Sequence, residues 1–199
     1  MATIGLDKLY YAKITEDPIT GYETYGTPQI LAKAMTAELS VSLAEATLFA
    51  DDGIAETVRE FSSGTLTLGV ADIGNAVAAD LVGARIDSNG VLVSAGEDVG
   101  GYVAIGFRAR RSDGTYRYFW LYRVRFGVPS TSLATKGDTI TFQTPSIEGL
   151  VSRRIKPDAE GRRPWKTEVN ESDGDVSSDI INSWYDAVYE PEFISDMEE

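Results

Sequence analysis

Apolar and polar positions alternate along most of the chain, and stretches of period two recur between closely spaced turn signals. LDKLYYAKI (6–14) predicts a first strand. AELSVSLAEATLF (37–49) alternates cleanly, with Ala37, Leu39, Val41 and Leu43 on one side and Glu38, Ser40 and Ser42 on the other. TVREF, TLTLGV, GARID, VLVS, TITFQT and SIEGLVSRRI predict further strands. Two segments switch to helical spacing. In ADIGNAVAADLVG (71–83), Asp72 is placed to cap the N-terminus, Ile73, Val77 and Leu81 share a face, and Gly83 ends the helix. In SSDIINSWYDAVYEP (177–191), Ile180, Ile181, Trp184 and Val188 fall at helical spacing and Pro191 terminates it. The expectation is a mainly β domain over residues 1–190. A polar, turn-rich arm at 156–175 orders on contact, and an acidic tail follows at 191–199.

The segment from Tyr102 to Phe126 makes a sharper prediction. Asp113-Gly114 is a strong signal for a two-residue type I′ hairpin loop. That loop would set Val103 opposite Val124, Ile105 opposite Tyr122, Phe107 opposite Trp120 and Ala109 opposite Tyr118, all on one apolar face. The other face would then carry Arg108, Arg110, Arg117, Arg123 and Arg125 to the surface, between flat apolar residues.

Those arginines stand out against the composition. The chain has 199 residues, 31 acids, 18 bases and a formal net charge of −13. Residues 102–126 hold six arginines and one acid, and residues 151–166 hold six bases, including Arg153 and Arg154, and two acids. A chain segregated in this way can attract its own copies, basic patch to acidic patch. The acidic counterpart is sought at FADDGIAE (49–56), with Asp51, Asp52 and Glu56 around Gly53. Sequence-specific DNA binding fits poorly, because duplex affinity comes largely from phosphate neutralisation and the overall field is negative. A solvated outer sheet face is the plainer alternative. An interface rich in arginine and aromatic residues fits best.

The chemistry available is narrow. There is no cysteine and no histidine, which removes disulfides, thiolate nucleophiles, histidine-based triads and Cys/His zinc sites. GEDVGG (96–101) lacks the Gly-Lys-Ser/Thr of a phosphate loop. Neither FADDGIAE nor NESDGD (170–175) follows the spacing of a calcium loop. No enzymatic activity, cofactor or metal is expected. No apolar stretch is long enough to span a bilayer, and the N-terminus lacks the plan of a signal peptide.

Several stretches, in order, are similar to the major tail protein of long-tailed, non-contractile phages of Gram-positive bacteria. They are LFADDGIAE, SGTLTLGVADIG, YRYFWLYRVRFGVPSTSLATKGDTITFQTPSIEG and WYDAVYEP, and they span roughly residues 4–191. The resemblance implies a β-sandwich or partly closed barrel with a flanking α-helix and a C-terminal helix. It implies a virion protein, assembled in the host cytoplasm, that forms rings of typically six subunits. Those rings would stack into a tail tube for genome ejection. The implied partners are other copies, a tape measure and a tail terminator, with DNA passing without specific binding and no membrane contact. The interface candidates carried forward are Asp51, Asp52, Glu56, Arg108, Arg110, Arg117, Arg123, Arg125, Arg153 and Arg154. A sugar-binding or adhesion β-sandwich is the alternative.

Overall fold

The computed structural model describes residues 2–50, 53–130, 135 and 144–192. In chain order the elements are β1 (Thr3–Glu16), β2 (Glu23–Tyr25), β3 (Gln29–Ala32), β4 (Ala34–Ala50), β5 (Gly53–Val70) and α1 (Asn75–Val82). They continue with β6 (Arg85–Ile86), β7 (Leu92–Val93), β8 (Tyr102–Arg111), β9 (Tyr116–Phe126), β10 (Ser146–Ser152), β11 (Lys166–Asn170) and α2 (Ser178–Asn182). One antiparallel sheet runs β2-β1-β8-β9-β10-β5-β4, with β3 added on β1 and β11 on β9, and β6–β7 form a separate pair. Among the described residues the chain is thus mainly β with two helices, and its sheet does not close into a barrel.

The core is double. One cluster packs Leu9, Tyr11, Leu66, Leu68, Val103, Ile105, Leu121, Val124 and Ile147 against Leu81 and Val82 of α1. The second lies on the other side of β1, β8 and β9 and packs Ala12, Ala104, Tyr118, Trp120 and Tyr122 under Trp184 and Val188. The helix is tied down as well as packed. Tyr11 donates to Asp80 at 2.8 Å, and Lys13 reaches the same carboxylate at 2.6 Å. Burial, followed by the Asp80 contact, pushes the Tyr11 hydroxyl up to about 12.

The β8–β9 hairpin corrects the sequence expectation. Its loop has three residues, Ser112-Asp113-Gly114, because the Arg111 N–H donates to the Thr115 carbonyl at 2.9 Å and the Gly114 N–H to the Arg111 carbonyl at 3.1 Å. Gly114 has φ +88°, and Asp113 is not among the residues with positive φ, so this is a type I turn closed by a left-handed glycine and not a type I′ turn. Asp113 stabilises it by accepting from the Thr115 N–H at 3.1 Å and hydroxyl at 2.7 Å. The extra loop residue shifts the pairing to Phe107 opposite Phe119 and Gly106 opposite Trp120. A bulge between Val103 and Ile105 restores the expected Val103–Val124 and Tyr102–Arg125 pairs. As a result Leu121 and Val124, three apart, both enter the first cluster, while Tyr118, Trp120 and Tyr122 turn to the second.

Gly106 shows how tightly that register is set. A Cβ there would lie 2.7 Å from the Trp120 ring, which is fully buried. Gly106→Ala is expected to lower stability by about 1–3 kcal/mol through overpacking. Gly101→Ala, where a Cβ meets nothing within 4 Å, serves as the control. Urea unfolding midpoints of the two variants check the difference.

Other corrections are local. TVREF and TLTLGV belong to one continuous strand, β5. Gly74, not Asp72, occupies the N-cap of α1, and the Asp72 carboxylate accepts from the neighbouring Ile73 N–H at 2.9 Å. Gly83 ends the helix as expected, with φ +78°. The C-terminal helix stops at Asn182, well before Pro191, yet Trp184 and Val188 still bury in the second cluster. The 156–175 arm contains β11, paired with β9 from Lys166–Leu121 to Asn170–Arg117. Most of TITFQT, the Lys136-Gly137-Asp138 turn, and tail residues 193–199 lie outside the described residues.

Candidate functional site: arginine clasps and an uncovered ribbon

Most of the arginines expected on an open face are instead engaged within the chain. Arg108 makes a two-point contact with Asp7, at 2.7 and 2.8 Å, and lies 3.9 Å over the Tyr116 ring. Arg117 forms a close ion pair with Glu168 on β11. Arg125 donates to the Gly100 carbonyl at 2.9 Å. Arg153 bonds the Phe61 carbonyl at 3.1 Å and meets Glu60 at 3.4 Å. Arg110 is exposed opposite Gly5 and Tyr116.

Two arginines are interior. The Arg123 side chain is 11% exposed, lies 3.8 Å over the Tyr102 ring and meets Glu23 at 2.6 Å, with Glu16 at 3.7 Å. Glu23 itself is buried, and its carboxylate also accepts from the Ile155 N–H at 2.7 Å and the Lys156 N–H at 2.8 Å. Burial raises the Glu23 pKa, but the two backbone donors and Arg123 outweigh it and hold the group below the usual carboxylate value. Arg154 is 1% exposed, bonds Glu190 at 2.7 Å and sits 4.9 Å over Tyr122. These clasps fasten β2 and the C-terminal segment to the sheet. The Trp120 indole adds a bond to the Trp184 carbonyl at 3.1 Å, and the Tyr122 hydroxyl one to the Tyr189 carbonyl at 2.9 Å.

The open surface is elsewhere. β4 and β5 pair from Ala34–Val70 out to Ala50–Gly53, but β10 backs β5 only between Gly64 and Gly69. Beyond that point the two strands form a free ribbon, roughly 25–30 Å long at ~3.3 Å per residue. Every residue from Ser40 to Phe49, and every residue from Gly53 to Glu60 whose side chain is described, is exposed. Among them are Leu43 (58%), Leu48 (60%), Phe49 (69%) and Ile54 (68%). Phe49 and Ile54 face each other directly across the ribbon. Only the base of the predicted alternation reaches the core, through Ala37 and Leu39; Val41 and Leu43 continue the same side into solvent.

Among the described residues no further strand pairs with either edge of this ribbon, although Arg153 takes the Phe61 carbonyl near its base. Isolated two-stranded ribbons are marginal in water, and native proteins seldom leave long apolar edges open. Glu56 lies on the ribbon opposite Leu48, while Asp51 and Asp52 lie outside the described residues.

The sequence held a signal for the ribbon, the apolar residues of ATLF and GIA on either side of an acidic turn. It held none for Glu23, whose partners are 100 and 132 positions away. Among the described residues no group of acids is arranged to hold a metal ion. No family model and no curated protein matches the chain.

Proposed function

We propose that this chain is a structural subunit that assembles with copies of itself into stacked rings. Those rings would form a hollow tube of the kind long-tailed, non-contractile phages use to pass their genome. The observation that carries the reading is the β4–β5 ribbon, exposed on both faces and, among the described residues, paired with no further strand on either edge. Each copy offers one β4 edge and one β5 edge. Joining the β4 edge of one copy to the β5 edge of the next adds strands without limit until the rotation closes a ring. Such a contact removes the exposed edges and covers apolar side chains that the single chain leaves in water.

Charge supports the same reading. The chain's surplus of acid, a formal net charge of −13, suits a passage along which phosphates slide without sticking. The arginine clasps leave the body of the subunit rigid, which suits a repeated building block. Placement in a virion tail, hexameric rings, and contacts with a tape measure and a tail terminator belong to the same proposal. The sugar-binding alternative draws less support. Trp120 and Trp184 are buried, and Trp165 is half-buried in a stack on Phe61 at 4.4 Å.

Light scattering over a concentration series, with negative-stain microscopy of the same samples, tests the proposal. Rings or tubes are expected without added metal and in the presence of a chelator. A chain that stays monomeric to its solubility limit overturns it.

A further inference from the structure

The sheet forks where β3 leaves β1. β3 pairs with Leu9–Tyr11, whereas Thr3–Asp7 of β1 pair only with β8 among the described residues. After β3 the chain runs into β4, whose outer edge is unpaired along its whole length among the described residues. Between these two free edges lies a groove of about 450 Å³. Its walls are Thr3, Gly5 and Leu6 on one side and Met35, Thr36 and Ala37 on the other. Its floor is apolar, formed by Phe107 and Phe119, whose rings stack at 4.9 Å. Unpaired backbone on both walls over an apolar floor is the arrangement that accepts an extended segment and one or two of its side chains.

We propose that this groove receives the tip of the β4–β5 ribbon from a second copy of the chain, with Phe49 and Ile54 seated over Phe107 and Phe119. The proposal rests on the self-assembly reading and specifies one of its contacts. Three observations select this occupant. First, Phe49 and Ile54 are a facing pair of large apolar residues left about two-thirds exposed, and the groove is an apolar hollow left unfilled. Second, groove and tip lie on the same strand, thirteen residues apart between Thr36 and Phe49. At ~3.3 Å per residue the separation is roughly 40 Å, and a paired ribbon cannot fold back to fill its own groove. The match is therefore made between copies. Third, charge favours the approach. Lys8, Lys33 and Arg110 are exposed near the groove, and the sequence places two acids, Asp51 and Asp52, between Phe49 and Ile54. A knob and a hole at opposite ends of one subunit make a head-to-tail contact, which propagates.

The chain has no cysteine, so introduced thiols are the only ones present. Met35→Cys combined with Phe49→Cys, oxidised after assembly, is expected to give a ladder of covalent dimers, trimers and larger species on a denaturing gel. Reduction should collapse the ladder, and each single variant should run as a monomer. Thr3→Cys combined with Ile54→Cys keeps Met35 and Phe49 in place. It is used if the first pair folds but no longer assembles, and its failure to cross-link overturns the proposal. Assemblies of the unmodified chain together with variants that give no ladder overturn the seating and leave self-assembly standing. Single variants that dimerise as efficiently as the pair also overturn the seating, because like residues are then in contact. An unmodified chain that never assembles overturns both.

Discussion

Replacing Glu23 with alanine is expected to cost about 3–5 kcal/mol, a large part of the stability of an ordinary domain. The carboxylate is the shared acceptor for the Ile155 and Lys156 N–H groups and for Arg123, and all three lose it at once. Arg123 would be left largely buried, with Glu16 at 3.7 Å as its remaining acid. Arg123→Glu should be worse, since it places a second carboxylate against Glu23. Urea unfolding at pH 7 measures both. The acid limb supplies an independent check. The folded-state pKa of Glu23 is depressed, so its contribution is present in full above the unfolded value of ~4.3. That contribution is lost as pH falls through the lower folded value. Glu23→Gln, already weakened at neutral pH, should lose less further stability on acidification than the parent chain. A Glu23→Ala chain as stable as the parent would mean the clasp is not formed in solution.

That result bears directly on what could be read from the sequence. The existence and extent of the β8–β9 hairpin were legible, because Asp113-Gly114 and the flanking alternation are local signals. The side-chain faces were not. One additional loop residue and one bulge reverse β9 between Tyr118 and Tyr122, and neither leaves a mark in the alternation. The deeper reason is the second cluster. A sheet with one wet face separates apolar from polar residues cleanly, whereas here Trp184 and Val188 return from the far end of the chain to cover the other face. Both faces then accept aromatic residues, and the pattern no longer decides between registers.

The same argument explains the arginines. The distribution of charge marked them as a group apart, but burial turned Arg123 and Arg154 inward, where Glu23 and Glu190 compensate their charge. Ion pairs between residues so distant in sequence cannot be inferred from spacing. β11 escaped for a related reason, since WKTEVN is polar enough to read as an arm and becomes a strand because β9 has a free edge beyond β10. The ribbon was the opposite case. β4 was legible to within a few residues and β5 only as two shorter pieces, but propensity carries no information on what lies above a strand. Val41 and Leu43 have the pattern of core residues and no core over them.

That separation of folding from burial leads to the strongest expected effect on assembly. Leu43, Leu48, Phe49, Ile54 and Val58, all changed to threonine, keep strand propensity and remove most of the exposed apolar surface of the ribbon. Exposed positions contribute little to folding, so the unfolding midpoint of the monomer should move by no more than ~1 kcal/mol in stability. The association should respond very differently. Burying an aliphatic or aromatic side chain is worth about 1.5–3 kcal/mol, and recovering even ~1 kcal/mol at each position would amount to several kcal/mol per contact. At ~1.4 kcal/mol per tenfold change, the association constant falls by three orders of magnitude or more, and every copy in a ring repeats the loss. Rings and tubes should vanish from micrographs at concentrations where the parent forms them, while circular dichroism of the two chains stays superimposable. If the quintuple variant assembles normally, the ribbon is not the contact. If it unfolds, the ribbon belongs to the stability of the single chain, and its exposed side chains no longer point to a second copy.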